Sequence, residues 1–220
     1  DLHYDFRPGH FGMLLSLNTQ AGTNAKITRM FLPCRVESGE EGSANRITDL
    51  SYYNGSVYVA GEWRKRLRPT QESSDYLFYL ESLPSTNQGY DIFVTRLNAT
   101  TLNSDAWRFF QSAGEDFVHE LTVDPSGVYL AGTATGSLDT LTNYGADHVV
   151  MDRDNVAAQK ASLGGSSAPH LFWQKMTLTD LSATSAGHLT PIEDTGLTIP
   201  TGQRNGGIAV ARETAILVGG

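Results

Sequence analysis

Three segments of the chain share one template without a gap, and no other feature limits the possible folds as much. Residues 50–61 read Leu50-Ser51-Tyr52-Tyr53-Asn54-Gly55-Ser56-Val57-Tyr58-Val59-Ala60-Gly61. Residues 121–132 run from Leu121 through Val123-Asp124-Pro125-Ser126-Gly127-Val128-Tyr129-Leu130 to Gly132, and residues 208–219 run from Ile208 to Gly219. Each describes a strand, a tight turn, a second strand and a closing glycine, in the order that repeated β-hairpins require. Asn54-Gly55 suits a type I′ turn, because both residue types tolerate positive φ. Asp124-Pro125-Ser126-Gly127 predicts a longer turn, with proline presetting φ and glycine taking the left-handed position. Ala211-Arg212-Glu213-Thr214 carries neither signal. The closing glycines mark places where another backbone comes close or the strand bends.

A second element recurs upstream. Gly89-Tyr90-Asp91-Ile92-Phe93-Val94-Thr95-Arg96-Leu97-Asn98 aligns with Gly9 to Asn18 and with Gly145 to Asp154; each opens on glycine and closes on Asn or Asp. A further strand follows each: Ala25 to Phe31, Ala106 to Gln111 and Val156 to Leu163. The repeating order is strand, strand, hairpin, and four strands per unit is the content of a propeller blade. The fold class expected is therefore all-β, built of four-stranded antiparallel blades. The units cover 9–61, 89–132 and 145–219, with insertions at 62–88 and 166–205. Leu171 to Thr179, inside the second insertion, also alternates as a strand does and competes with Asp147 to Arg153 for the third unit.

Residues Asp91 to Asn98, Trp107-Arg108-Phe109-Phe110, Gly114-Glu115-Asp116 and Leu121 to Thr133 together resemble one full repeat of the seven-bladed β-propeller type known as SBBP. Ala161-Ser162-Leu163-Gly164-Gly165-Ser166 is similar to that family's Leu-Gly-Gly turn. The first unit lacks the leading aspartate and the tryptophan. The resemblance implies a non-enzymatic structural or binding scaffold in a secreted or surface-attached protein, including filament or flagellar-surface assemblies. The partners it implies are other domains or other protein chains, with glycans as a further class. Three units fall short of the four to eight blades of a closed ring. The chain is thus expected to be a segment of a larger polypeptide, or else to associate with copies of itself and cover its open edges.

Composition narrows the function classes. A net charge of −8 repels a phosphate backbone and argues against nucleic-acid binding. No apolar run approaches the roughly 20 residues of a membrane-spanning helix. The single Cys34 has no intramolecular partner for a disulfide. No serine elbow, paired histidine motif, calcium loop or phosphate-binding loop is present, so no catalytic, metal or cofactor residue is assigned. An enzyme acting on glycans from blades outside the chain, and an intracellular interaction platform, are the rival readings.

Two features carry the expectations about contact. Trp63, Arg64, Lys65, Arg66 and Arg68 place a basic cluster beside an indole, a pairing that grips acidic partners, sulfated glycans or aromatic ligands. The alternative is a solvated loop balancing Glu37, Glu40 and Glu41. Downstream, Tyr76, Leu80 and Leu83 lie at helical spacing before Pro84, so a two-turn helix competes with a strand there. The sequons Asn54-Gly55-Ser56 and Asn98-Ala99-Thr100 both fall at expected turns, where N-glycans are tolerated.

Overall fold

A computed structural model of the chain describes residues 14–18, 26–31, 44–64, 66–67, 78–81, 89–144, 149–150, 161–164, 169–189, 206–211 and 214–219. All regular structure in them is strand. In chain order the strands are β1 (Leu14–Asn18), β2 (Lys26–Phe31), β3 (Ala44–Tyr53), β4 (Ser56–Arg64), β5 (Arg66–Leu67), β6 (Phe78–Glu81), β7 (Asp91–Asn98), β8 (Ser104–Gln111) and β9 (Phe117–Asp124). They continue as β10 (Gly127–Thr135), β11 (Leu138–Tyr144), β12 (Val149–Val150), β13 (Ala161–Gly164), β14 (Pro169–Met176), β15 (Ala183–Leu189), β16 (Gly206–Ala211) and β17 (Thr214–Gly219).

Two four-stranded antiparallel meanders organise the molecule. The first runs β3-β4-β7-β8 and is lengthened at the β8 edge by β11 and β13; the second runs β9-β10-β14-β15. Each sheet therefore joins a hairpin to the strand pair that follows it. The sequence pattern places residues 89–132 in one blade, but β7–β8 belong to the first sheet and β9–β10 to the second. The same pairing locates the next copy of the strand pair. β14 pairs with β10 from Val128↔Met176 to Thr135↔Pro169, as β7 pairs with β4 from Ser56↔Asn98 to Trp63↔Asp91. Residues 169–189, expected within an insertion, thus supply framework strands. The rival Asp147 to Arg153 contributes only β12 to the described structure.

The turns repeat as closely as the strands. Asn54 and Gly55 take φ of 45° and 80°, the positive values of a type I′ turn. The second hairpin does not have the longer turn expected. Asp124 pairs directly with Gly127 across a two-residue loop, and Asp124 Oδ1 accepts from both the amide and the hydroxyl of Ser126 at 2.7 Å. In the third, Ala211 pairs with Thr214; the two residues between them lie outside the described set. The connection from β7 to β8 matches that from β14 to β15. The Asn98 amide donates to the Asn103 carbonyl and the Thr177 amide to the Ser182 carbonyl, both at 2.9 Å. Leu102 and Leu181 hold positive φ of 56° and 58° at equivalent places.

Packing follows from alternation along the strands. Tyr58, Ala60, Ile92, Val94, Ala106 and Phe110 on one face of the first sheet share a core with Val118, Leu121, Val128, Leu130, Phe172 and Met176 of the second. The opposite face of the first sheet buries Val59, Trp63, Phe93, Leu97, Trp107 and Phe109, with Leu14 of β1 packed against it. β16 lies against β9 and β10 of the second sheet. Each fully buried Phe or Leu contributes about 2–3 kcal/mol through apolar area removed from water.

The closing glycines make room for an aromatic ring. Gly61 pairs with Phe93 and Gly132 with Phe172. A Cβ on Gly61 would stand 2.3 Å from both the Arg46 carbonyl oxygen and Phe93 Cζ; on Gly132 it would stand 2.5 Å from the Phe117 carbonyl oxygen and 2.6 Å from Phe172 Cε1. Both glycines face a β-bulge, which pushes the neighbouring carbonyl toward them. Alanine at either position is expected to cost about 2–3 kcal/mol, because a backbone atom cannot rotate away as a side chain can. Chemical denaturation of Gly61→Ala and Gly132→Ala checks this, with Gly55→Ala, whose Cβ would meet nothing within 4 Å, as the purely conformational control.

Candidate functional site

The chemistry-bearing residues fall into two groups: the basic segment at the edge, and a set of buried acids between the sheets. The basic segment begins where β4 leaves the first sheet. Trp63 is wholly buried, with its ring edge-on to Phe109 at 5.8 Å between centroids. It faces the core because β4 is an interior strand flanked by β3 and β7. It therefore does not stand beside the cations at the surface, as the sequence had it. Arg64 ends β4 half-buried. The backbone of Arg66 lies in β5 and pairs with Glu81 of β6. Lys65 and Arg68 lie outside the described residues, as do Glu37, Glu40 and Glu41. Residues 78–81, where a helix competed with a strand, form strand β6.

Two excursions meet at this edge, the insertion 62–88 and the stretch between β10 and β14, which precedes the expected second insertion. The one after β4 supplies β5 and β6, the one after β10 supplies β12, and β12 pairs in parallel with β6 to give a three-stranded sheet in the order β12-β6-β5. Equivalent hairpins thus extend equivalent excursions that converge. Asn54 and Asn98 are exposed at turns. Asn98 Oδ1 accepts from the Thr100 and Thr101 amides at 2.9 and 3.1 Å, which fixes its side chain in an Asx turn.

Buried and half-buried acids tie the stacked sheets together. Glu62 is fully buried: one carboxylate oxygen pairs with Arg46 Nε, and the other accepts from the Val118 amide of the second sheet at 2.9 Å. Arg46 also stacks its guanidinium on Tyr90 at 4.4 Å and on Phe117 at 5.6 Å. Asp49 Oδ2 accepts from the Leu121 amide at 2.7 Å. On the outer side, Arg96 grips Asp105 at 2.6 and 2.7 Å and donates to the Leu178 carbonyl at 3.0 Å. Tyr58 Oη donates to the same carbonyl at 2.8 Å.

Asp91 and Asp116 form the least expected part of this system, each almost without solvent exposure. Burial, with Asp116 as a like-charged neighbour, pushes the Asp91 carboxyl well above the ordinary carboxylate range, against hydrogen bonds from Gln111 and Ser112. Burial lifts Asp116 to about 8, opposed by the Ser112 hydroxyl and by the Thr135 and Ser112 amides. Ser112 Oγ lies 2.6 Å from Asp116 Oδ1 and 2.9 Å from the Thr135 carbonyl oxygen, and accepts from the Gly114 amide at 3.2 Å. One hydroxyl proton cannot serve both oxygens. A protonated Asp116 resolves this by donating to Ser112, which then donates to Thr135. The sequence flagged Asp91 and Asp116 only as parts of a repeat motif, and it gave no sign of Asp49 or Glu62. The available signal was acids set among core residues, which are rarely buried without partners.

Among the described residues no group of three or more His, Cys, Asp or Glu side chains is arranged to hold a metal ion, and no helix is long and apolar enough to cross a membrane. No protein-family model matches the chain. Neither a curated protein nor a solved structure matches it.

Proposed function

We propose that the chain is a non-enzymatic binding scaffold, a module of an extracellular or cell-surface protein, built of propeller-like stacked sheets of the SBBP kind. The observation that carries this reading is the convergence of the excursion after β4 and the excursion after β10 into the β12-β6-β5 sheet, where the basic segment starts. The described polar groups between the sheets serve as ties, so recognition falls to this edge. Arg64, Arg66 and Arg68 follow one another closely in sequence and carry forked donors suited to carboxylate or sulfate groups on an acidic protein or a glycan. Trp63 takes no part, since it is buried in the core.

Binding of the chain to an immobilised sulfated polysaccharide, followed at two ionic strengths, tests the reading. The double variant Arg66→Glu/Arg68→Glu is expected to lose at least about tenfold in affinity, and wild-type binding should weaken with salt. Binding that ignores both charge reversal and salt would sink it. Cleavage of the polysaccharide by the wild-type chain would favour a glycan-acting enzyme instead. Glycans on Asn54 or Asn98 in the protein from its source would support the extracellular placement, and bare asparagines in a cytosolic fraction would oppose it.

A further inference from the structure

The two complete sheets define what a whole unit is: a hairpin joined to a strand pair through antiparallel pairing, β4 with β7 and β10 with β14. Two half units remain among the described residues. The pair β1–β2 has the bulge of β7–β8, between Ser16 and Leu17 in one and between Arg96 and Leu97 in the other, yet no hairpin adjoins it. The hairpin β16–β17 has the two-residue loop of its counterparts, yet no strand pair adjoins it. One half carries what the other lacks.

A second observation marks where the missing hairpin belongs. In the second sheet, Leu121 is 3% exposed and Val123 packs against the core shared with the first sheet, because β9 lies across β3 and β4. Their counterparts on β3, Leu50 and Tyr52, are 51% and 65% exposed, the only large hydrophobic side chains so exposed among the described residues. Leu14 of β1 already covers part of that face. A hairpin added to the edge of β1 that no other described strand pairs would lie over β3 and bury both.

We propose that copies of this chain associate head to tail, with β17 of one copy pairing antiparallel with β1 of the next to complete a four-stranded sheet. Within one chain the halves sit on different members of the stack, β1 against the first sheet and β16 against the second, so the fitting occupant is a second copy. The register follows from the complete sheets: Ser56 faces Asn98, so Thr214 of one copy faces Asn18 of the next, and Val218 faces Leu14. Main-chain hydrogen bonds supply the attachment, as in strand addition to a sheet edge. Because the two surfaces differ, the contact is heterologous and generates a ring or a filament.

Light scattering on the 220-residue chain from about 1 to about 100 μM measures the association. Growth in mass with concentration is expected, and Leu50→Lys/Tyr52→Lys should weaken it at least about tenfold. Both residues are exposed, so the variant keeps its fold. Disulfide trapping fixes the register. In a Cys34→Ser background, chains carrying Asn18→Cys and chains carrying Thr214→Cys should cross-link when mixed and not when separate. A chain that stays monomeric at the highest concentration would overturn the proposal. So would association indifferent to the lysine substitutions, or a monomer in which both cysteines, placed in one chain, join to each other.

Discussion

Stability against urea is expected to fall as the pH rises from about 4 to about 8, by on the order of 4 kcal/mol, and to level off above that. Asp116 carries this effect, its carboxyl lifted from an ordinary 3.8 to about 8 by burial. Across that interval the folded chain keeps a proton that the unfolded chain has released. Each step up in pH therefore favours unfolding, until the folded state also loses its proton. Asp91, raised by burial and by Asp116, acts in the same direction. Asp116→Asn supplies an amide N–H that can donate to Ser112 as the protonated acid does, and removes the titrating group, so its unfolding midpoint should change much less between pH 5 and pH 8. A variant with the full wild-type slope would show that the proton resides elsewhere.

Exchanging Arg46 for methionine is expected to cost about 3–5 kcal/mol, because it removes the guanidinium that pairs with the fully buried Glu62 carboxylate. Glu62→Gln should cost less, about 1–2 kcal/mol, since the amide oxygen can still accept from the Val118 amide while the exposed side of Arg46 turns to water. Methionine keeps apolar contact with Tyr90 and Phe117, so lost packing does not account for the difference. A double-mutant cycle on denaturation free energies isolates the coupling. Equal costs for the two single variants would mean that Glu62 matters as a hydrogen-bond acceptor and not as half of an ion pair.

The parts of the fold visible in the sequence were those encoded locally. Asn54-Gly55 announces its turn because few residue pairs tolerate two positive φ values, and the closing glycines announce a close approach. Sheet membership is not local. The residues of β7 are buried on both faces, and nothing in their alternation says whether the neighbour is β4 or β10. The glycine of Gly145 to Asp154 drew the alignment, whereas the framework strand lies at Pro169–Met176 because a longer excursion precedes it. Trp63 was misplaced for a related reason: its basic neighbours pointed to a surface, but side chains on an interior strand have core on both sides. The acids between the sheets stayed hidden because their partners are remote. Glu62 finds the Val118 amide, and Asp49 finds that of Leu121.

The offset between the covalent repeat and the sheets governs how the molecule comes apart. A repeat as written in the chain, from β7 to β10, gives two strands to one sheet and two to the next. Removing it would tear both sheets, whereas in an array of self-contained modules a unit can peel away and leave its neighbours whole. Adjacent sheets are thus stitched together by the backbone as well as by Glu62 and Asp49, and the loss of the repeat β7–β10 deprives each four-stranded meander of two strands. Modular in sequence, the two sheets are coupled in their energetics.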